Sequence, residues 1–276
     1  MPITALQPKP VPRVWGRRNI EPWFDVGPTA DPIGEIWFEG DGASRILVKY
    51  LFTSEPLSIQ VHPNDVQAQA RGLPQGKDEA WLILQAEPDA VIGLGLTNNV
   101  SDAALKNAAL DGSIEQLVDW KPARRGEIYY SPAGTVHAIG AGLTIIEIQQ
   151  STDLTYRLYD YGRPRELHLD DGIAVANRAP YSPPFKREEI GPGRQLVAKG
   201  PPFMLELWEG ERDLSVNLKS GQQLTLVPFA GEASCGGMRL RAGGVWQSDE
   251  PFSLLLSRDC QMLVGYSGGE LIELDV

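Results

Sequence analysis

Short apolar runs and two-residue alternation, rather than helical periodicity, organise this chain. In GEIWFEG, residues 34–40, Ile36 and Phe38 alternate with Trp37 and Glu39 between glycines, which predicts a strand. ILVKYLF, residues 46–52, is a nearly continuous apolar run and predicts a buried strand that ends at the Ser54-Glu55-Pro56 turn. Residues 58–62, 79–84, 91–96, 127–130 and 143–148 read as further strands. Helical signals are few and short. One turn fits residues 64–70 of the polar loop 64–78, and Ser101 caps a helix that runs to about residue 110 and stops at Gly112. Ser113 and Gln116 have capping-box spacing and open a second helix to Trp120. LDDGIAVAN, after His168, predicts another. Residues 1–13 are proline-rich without periodicity and predict an extended arm. From about Pro180 the composition changes: SPPFKREEIGPGRQ reads as a connection, and short strands are expected at 203–208, 214–218, 223–229, 238–245, 252–256 and 262–266.

Composition supports the same reading. With 29 glycines and 22 prolines between β-branched runs, the 276 residues favour a turn-rich all-β architecture. The length accommodates two units, expected over 1–180 and 181–276, with the helical segment near 101–120 inside the first. Twenty-five basic against 36 acidic residues give a net charge of −11, which argues against nucleic acid or an anionic membrane as partner. An anionic small substrate would need a locally basic pocket. No apolar run reaches the roughly 20 residues of a membrane span, and the N-terminal residues lack the apolar core of a secretory signal, so the expected compartment is the cytoplasm. Cys235 and Cys260 have no C-x-x-C spacing and read as buried thiols.

Candidate chemistry gathers in three places. Gln60 and His62 are two apart on a strand, so both side chains leave the same face, and Pro63 places His62 at a rim. Lys77 and Glu79 share a face in the same way. Gly126, Pro132, Gly134 and His137 have the spacing G-x5-P-x-G-x2-H. Pro132 fixes φ and Gly134 permits a positive φ, so the pair predicts a tight turn that delivers His137 onto a new strand. Glu147 then lies on one strand face with Ile145 and Gln149, and a carboxylate among apolar neighbours is costly unless paired or functional. Taken singly, each feature has a plainer reading: a polar strand face with a satisfied histidine, a surface Lys–Glu pair, and a buried ion pair between Glu147 and Arg157.

In combination these blocks resemble a known family. The spacing around His137 resembles the second motif of the cupin β-barrels. SIQVHPND at 58–65, GKDEAW at 76–81, and HAIGAGLTIIEIQQ followed by TYRLYDY are together similar to the short-form type I mannose-6-phosphate isomerases, from about Val14-Trp15-Gly16 to about His168. The general cupin pattern has a histidine where Gln60 stands and a nearer glutamate than Glu79, seventeen residues after His62; both departures belong to the isomerases. The resemblance implies a cupin-type double-stranded β-helix (jelly-roll) barrel followed by a second, degenerate cupin-like β-domain without metal ligands. It implies Gln60, His62, Glu79 and His137 as ligands of one zinc ion per chain, with other divalent metals able to take its place. It further implies Lys77, Glu147 and Arg157 as active-site residues for the interconversion of mannose 6-phosphate and fructose 6-phosphate through a cis-enediol. Tyr156, Tyr159 and Tyr161 are expected at the pocket wall, Asp153 in a turn, His168 in an exposed or capping role, and Arg13, Arg17 and Arg18 as solvated charge. Two other classes fit a barrel of this kind: a non-catalytic sugar-phosphate-binding cupin, and a cupin oxygenase acting on another small substrate.

Overall fold

The strands with the most continuous apolar sequence lie at the centre of the molecule. Ile46–Phe52 and Leu143–Gln150 are buried at every position and pair antiparallel, with Glu147 opposite Lys49. They occupy the middle of a six-stranded sheet in the order Pro8–Arg17, Ile33–Phe38, Ile46–Phe52, Leu143–Gln150, Glu79–Ala86, Ile128–Ser131. One face of that sheet packs on a five-stranded sheet, Tyr156–Tyr159, Ile59–Val61, His137–Ile139, Val91–Leu96, Val118–Pro122, around Trp15, Leu51, Trp81 and Ile92. Its other face meets residues from the later part of the chain, where Tyr50, Val48 and Ile148 share a cluster with Leu205, Val227 and Leu263. A sheet covered on both faces needs apolar residues at successive positions, which is why ILVKYLF shows no alternation.

The structure, a computed structural model, describes residues 3–27, 31–40 and 44–275. Its second pair of sheets has seven strands, Thr4–Ala5, Trp246–Ser248, Leu224–Ala230, Gln261–Tyr266, Met204–Glu209, Arg194–Lys199 and Glu188–Gly191, and five, Met238–Arg241, Glu232–Cys235, Phe252–Leu256, Arg212–Asn217 and Glu273–Asp275. Thr4–Ala5 pairs with Trp246–Ser248, so the start of the chain is stitched into a sheet formed by its end. The all-β class read from composition is what the chain adopts, with four short helices among the described residues.

Several local expectations change. The N-terminal arm contains the strand Pro8–Arg17, while its first two residues lie outside those described. This strand is the edge of its sheet, so alternate positions need no ladder partner, and Pro8 and Pro10 can sit there. The expected connection after Pro180 contains an antiparallel hairpin of Glu188–Gly191 with Arg194–Lys199. Ser113 makes no side-chain cap, the helix it precedes is only Ile114–Leu117, and the chain goes straight into the strand Val118–Pro122. The span 238–245 is not one strand: Met238–Arg241 ends at a glycine turn, after which Trp246–Ser248 joins the other sheet. Ser101 does cap its helix, accepting from the Ala104 amide, and Gly112 ends it in the left-handed conformation. Cys235 and Cys260 are free and buried. No helix among the described residues is long and apolar enough to cross a membrane.

Because Ile148 is fully buried in the cluster shared by both halves, Ile148→Ala is expected to lower stability by about 2–5 kcal/mol. Val66→Ala, at a side chain that is 75% exposed, should stay within about 0.5 kcal/mol of the parent. Urea unfolding of the two variants checks both values.

Candidate metal centre and active site

The turn read from Pro132 and Gly134 forms, and it binds the site together. Gly134 has φ of 87°. Its amide donates to the His62 carbonyl at 2.8 Å, and the Thr135 amide donates to the Pro132 carbonyl at 3.1 Å. The chain then enters the strand His137–Ile139, where His137 stands opposite Gln60. His137 Nδ1 lies 2.9 Å from the Thr135 carbonyl. A carbonyl can only accept, so Nδ1 carries the proton and Nε2 presents its lone pair. Nε2 points at Glu79, 3.4 Å from Oε2, while His62 Nε2 is 3.2 Å from Oε1. The ligand atoms of His62, Glu79 and His137 all fall within 4.8 Å of one another. His62 follows directly on the end of the strand Ile59–Val61, as Pro63 predicts, and is nevertheless only 2% exposed.

Burial sets the electrostatics of this cluster. Loss of solvent, with Lys77 next in importance, pushes the His62 imidazole down to about 3, and burial also lowers His137. Both rings are therefore neutral at neutral pH, the form in which imidazole ligates. Burial alone would raise Glu79, but Lys77 and His62 outweigh it and hold the carboxyl well below its usual range. Lys77 Nζ stands 2.7 Å from Glu79 Oε1, both side chains being buried. This pair is thus quite unlike the weak surface ion pair that i,i+2 charges commonly form.

Among the described residues, neither ring nitrogen of His62 has a hydrogen-bond partner, and neither oxygen of Glu79 has one of good geometry. Buried polar atoms in folded proteins are seldom left so. A cation among them would engage the lone pairs and the carboxylate at once, so the three residues could hold a metal ion. Gln60 lies beside them, its Nε2 3.3 Å from His137 Nε2 and its Oε1 accepting from Ser58 Oγ at 3.0 Å. A half-turn of the amide, which keeps its shape, would turn Oε1 toward the cluster, where a cation shared with the His137 lone pair could engage it, and let Ser58 accept from the amide nitrogen.

Gln60 and Lys77, which touch the cluster, also line a cavity of about 490 Å³ with Lys49, Glu147, Asp153 and Arg157. Basic side chains outnumber acidic ones along its wall, so it is locally positive in a chain of net charge −11. Glu147 Oε2 accepts from Trp81 Nε1 at 3.0 Å. Oε1 has Lys49 Nζ at 3.7 Å, beyond hydrogen-bond reach. Burial, and after it the charge of Glu79, push the Glu147 carboxyl up to about 7. Arg157 does not pair with Glu147. Its Nη1 donates to the Glu166 carbonyl at 2.8 Å, and its Nε has no hydrogen-bond partner among the described residues.

Some residues at the site were not singled out by sequence reasoning. Lys49 stands inside the apolar run ILVKYLF, where a lone charge is itself a signal. Arg13, expected as solvated charge, lines the cavity and pairs with Glu35 at 2.7 Å. Asp153, expected in a turn, also lines it. Tyr156, Tyr159 and Tyr161 pack instead in the cluster around Leu105 and Leu158. His168 precedes the helix Leu169–Val175 without capping it through its side chain, and its Nδ1 accepts from the Arg157 amide at 3.2 Å.

No family model matches the chain. Among curated proteins it is 40% identical over 159 residues to the mannose-6-phosphate isomerase ManA of Bacillus subtilis (strain 168), covering 52% of this chain and 50% of that protein. It is 35% identical over 158 residues to the mannose-6-phosphate isomerase of Streptococcus mutans, again covering 52% and 50%. The chain thus spans about half the length of the curated relatives it matches. Among solved structures, the mannose 6-phosphate isomerase from Bacillus subtilis superposes with a TM-score of 0.83 at 24% identity, covering 96% of this chain and 99% of that one. A phosphomannose isomerase variant from Salmonella typhimurium gives 0.73 at 15% identity over 97% and 100%. The chain therefore has the cupin fold of the phosphomannose isomerases and, over about half its length, shares sequence with proteins named mannose-6-phosphate isomerase.

Proposed function

We propose that the protein is a metal-dependent aldose–ketose isomerase that interconverts D-mannose 6-phosphate and D-fructose 6-phosphate. One observation carries the reading: the buried His62–Glu79–His137 cluster and the Glu147 carboxyl stand beside the same locally positive cavity. At about 490 Å³ that cavity is of the size that holds small metabolites. The names of the relatives support the substrate class.

In this reading Gln60, His62, Glu79 and His137 hold one divalent cation per chain. Two imidazoles, a carboxylate and an amide oxygen suit zinc, and manganese, iron or cobalt can use the same donors. When bound, such an ion supplies Lewis-acid stabilisation of charge developing on the substrate oxygens, a contribution of several kcal/mol. Glu147 acts as the base, with Oε1 unengaged and a carboxyl poised near neutrality. It takes the proton from C2 of the open-chain aldose and returns it to C1, while the O2 hydroxyl proton moves to O1 through the cis-enediol. Lys77 donates to the sugar oxygens beside Glu79. Arg157, whose Nε is unpartnered, draws an anionic oxygen of the substrate into the cavity. Residues 1–180 would form the catalytic unit and 181–276 a cupin-like unit without ligands, since the latter contains no histidine.

Three outcomes are expected. Purified protein should isomerise mannose 6-phosphate in a coupled assay, lose turnover on chelation and regain it with zinc; a folded, fully metallated protein without turnover overturns the assignment. Glu147→Gln should lower kcat by about 10²–10⁴-fold with bound zinc unchanged, as loss of a general base does; a loss of zinc in parallel would point to a structural role instead. Glu147 must be deprotonated to accept the C2 proton, so kcat/KM should rise with pH along a limb whose midpoint lies at or below about 7. Of the two main causes of the raised value, burial is constant, whereas the charge of Glu79 is shared with whatever it binds. The pH–rate profile of the parent, and the absence of that limb from the residual activity of the variant, check the sign.

A further inference from the structure

Asp78 stands next to Glu79 in sequence but, by strand alternation, its side chain leaves the opposite face. It is buried, 5% exposed, and plays no part in the proton transfers described above. One carboxylate oxygen accepts from the Ala133 amide at 2.9 Å, and the other accepts from the Tyr130 hydroxyl. The Asp78 backbone is pinned as well: its amide donates to Gln150 Oε1 at 2.9 Å, and its carbonyl accepts from the Gln150 amide at 3.2 Å. Ala133 is the middle of the turn that leads into the strand carrying His137. That turn reaches His62 through the Gly134 amide and orients His137 through the Thr135 carbonyl. The Asp78 carboxylate therefore ties the strand that carries Glu79 to a segment that contacts the backbone of His62 and the ring of His137.

The phenol that completes this clamp is seated by the later half of the chain. A Cβ at Gly200 would lie 1.7 Å from the Tyr130 hydroxyl oxygen, so only glycine leaves room for it. The Phe203 ring meets Tyr130 edge-on with centroids 5.9 Å apart. The Tyr130 carbonyl accepts from the Tyr181 hydroxyl at 2.6 Å. We propose that Asp78 is a positioning residue for the metal centre, and that Gly200 and Phe203 set its geometry from the second sandwich by holding Tyr130 against it. The inference rests on the reading of His62, Glu79 and His137 as ligands. Its chemical content is that of an outer partner that fixes ligand orientation, whose loss typically weakens metal binding about 10–100-fold.

The test is zinc affinity of the folded protein, measured by competition with a chromophoric chelator, alongside the thermal midpoint of the metal-free form. Asp78→Ala should weaken zinc binding by about 10–100-fold. Asp78→Asn keeps an acceptor for the Ala133 amide and should recover most of that loss. Tyr130→Phe and Gly200→Ala, which change the clamp without touching Asp78, should each weaken zinc binding by a smaller factor. A purely structural role would lower the thermal midpoint of all four variants and leave the zinc affinity of the folded protein unmoved, which would overturn the assignment while the ligand reading stands. If Asp78→Ala does not fold, Tyr130→Phe decides by the same criterion. Wild-type protein that binds no zinc overturns the ligand reading and this inference with it.

Discussion

Two carboxylates removed from water on neighbouring strands of one barrel are the constraint to which the rest of this structure answers. Glu79 and Glu147 lose solvation alike, yet their carboxyls move in opposite directions. The difference lies in where the cations stand. Lys77 is in direct contact with Glu79, so the charged form of Glu79 is favoured despite burial. Lys49 is too far from Glu147 to donate a hydrogen bond, and the field of Glu79 opposes its ionisation. Environments that drive two acids apart in this way sort one towards ligation and the other towards proton transfer.

A single sequence pattern, Glu-x-Trp, is used in two ways at three of its positions in the chain. In Glu35-Ile36-Trp37 and Glu206-Leu207-Trp208 the indole donates to the glutamate two residues earlier, at 2.9 and 2.7 Å. Glu206 is then saturated by two bonds from Arg194 and one from Tyr266, which leaves that buried carboxylate nothing further to bind. In Glu79-Ala80-Trp81 the indole reaches across the sheet to Glu147 instead. Glu79 is thereby left to Lys77 and the two imidazoles. The same local motif thus closes a network in the second sandwich and opens a site in the first, because the partner strand offers a second acceptor only there.

Much of the site was legible along the chain. Two-residue spacing places Gln60 with His62 and Lys77 with Glu79, and the Pro132–Gly134 turn delivers His137 as its dihedral preferences require. Such features depend on neighbours a few residues away. Lys49, Glu35 and Arg13 were not legible as site residues, because their roles arise from strand pairing and from a cavity assembled by both sheets. Ser113 shows the limit from the other side: its spacing is that of a cap, but the chain is drawn at once into a strand beside Val91–Leu96, and pairing in the sheet outweighs one terminal hydrogen bond. The hairpin after Pro180 was hidden because its strands carry charged residues on an exposed edge, where no apolar pattern is needed.

By itself, then, the sequence determined the all-β class, the faces on which the candidate ligands lie and the turn that carries the last of them, since φ restrictions and strand alternation act over a few residues. Only the tertiary structure decided that His62 is sealed from solvent, that Lys49 rather than Arg157 faces Glu147, and that the start of the chain is stitched into the sandwich formed by its end. Those outcomes depend on desolvation and on contacts between residues as far apart in the chain as Thr4 and Gln247, and neither is encoded in any short stretch of the chain.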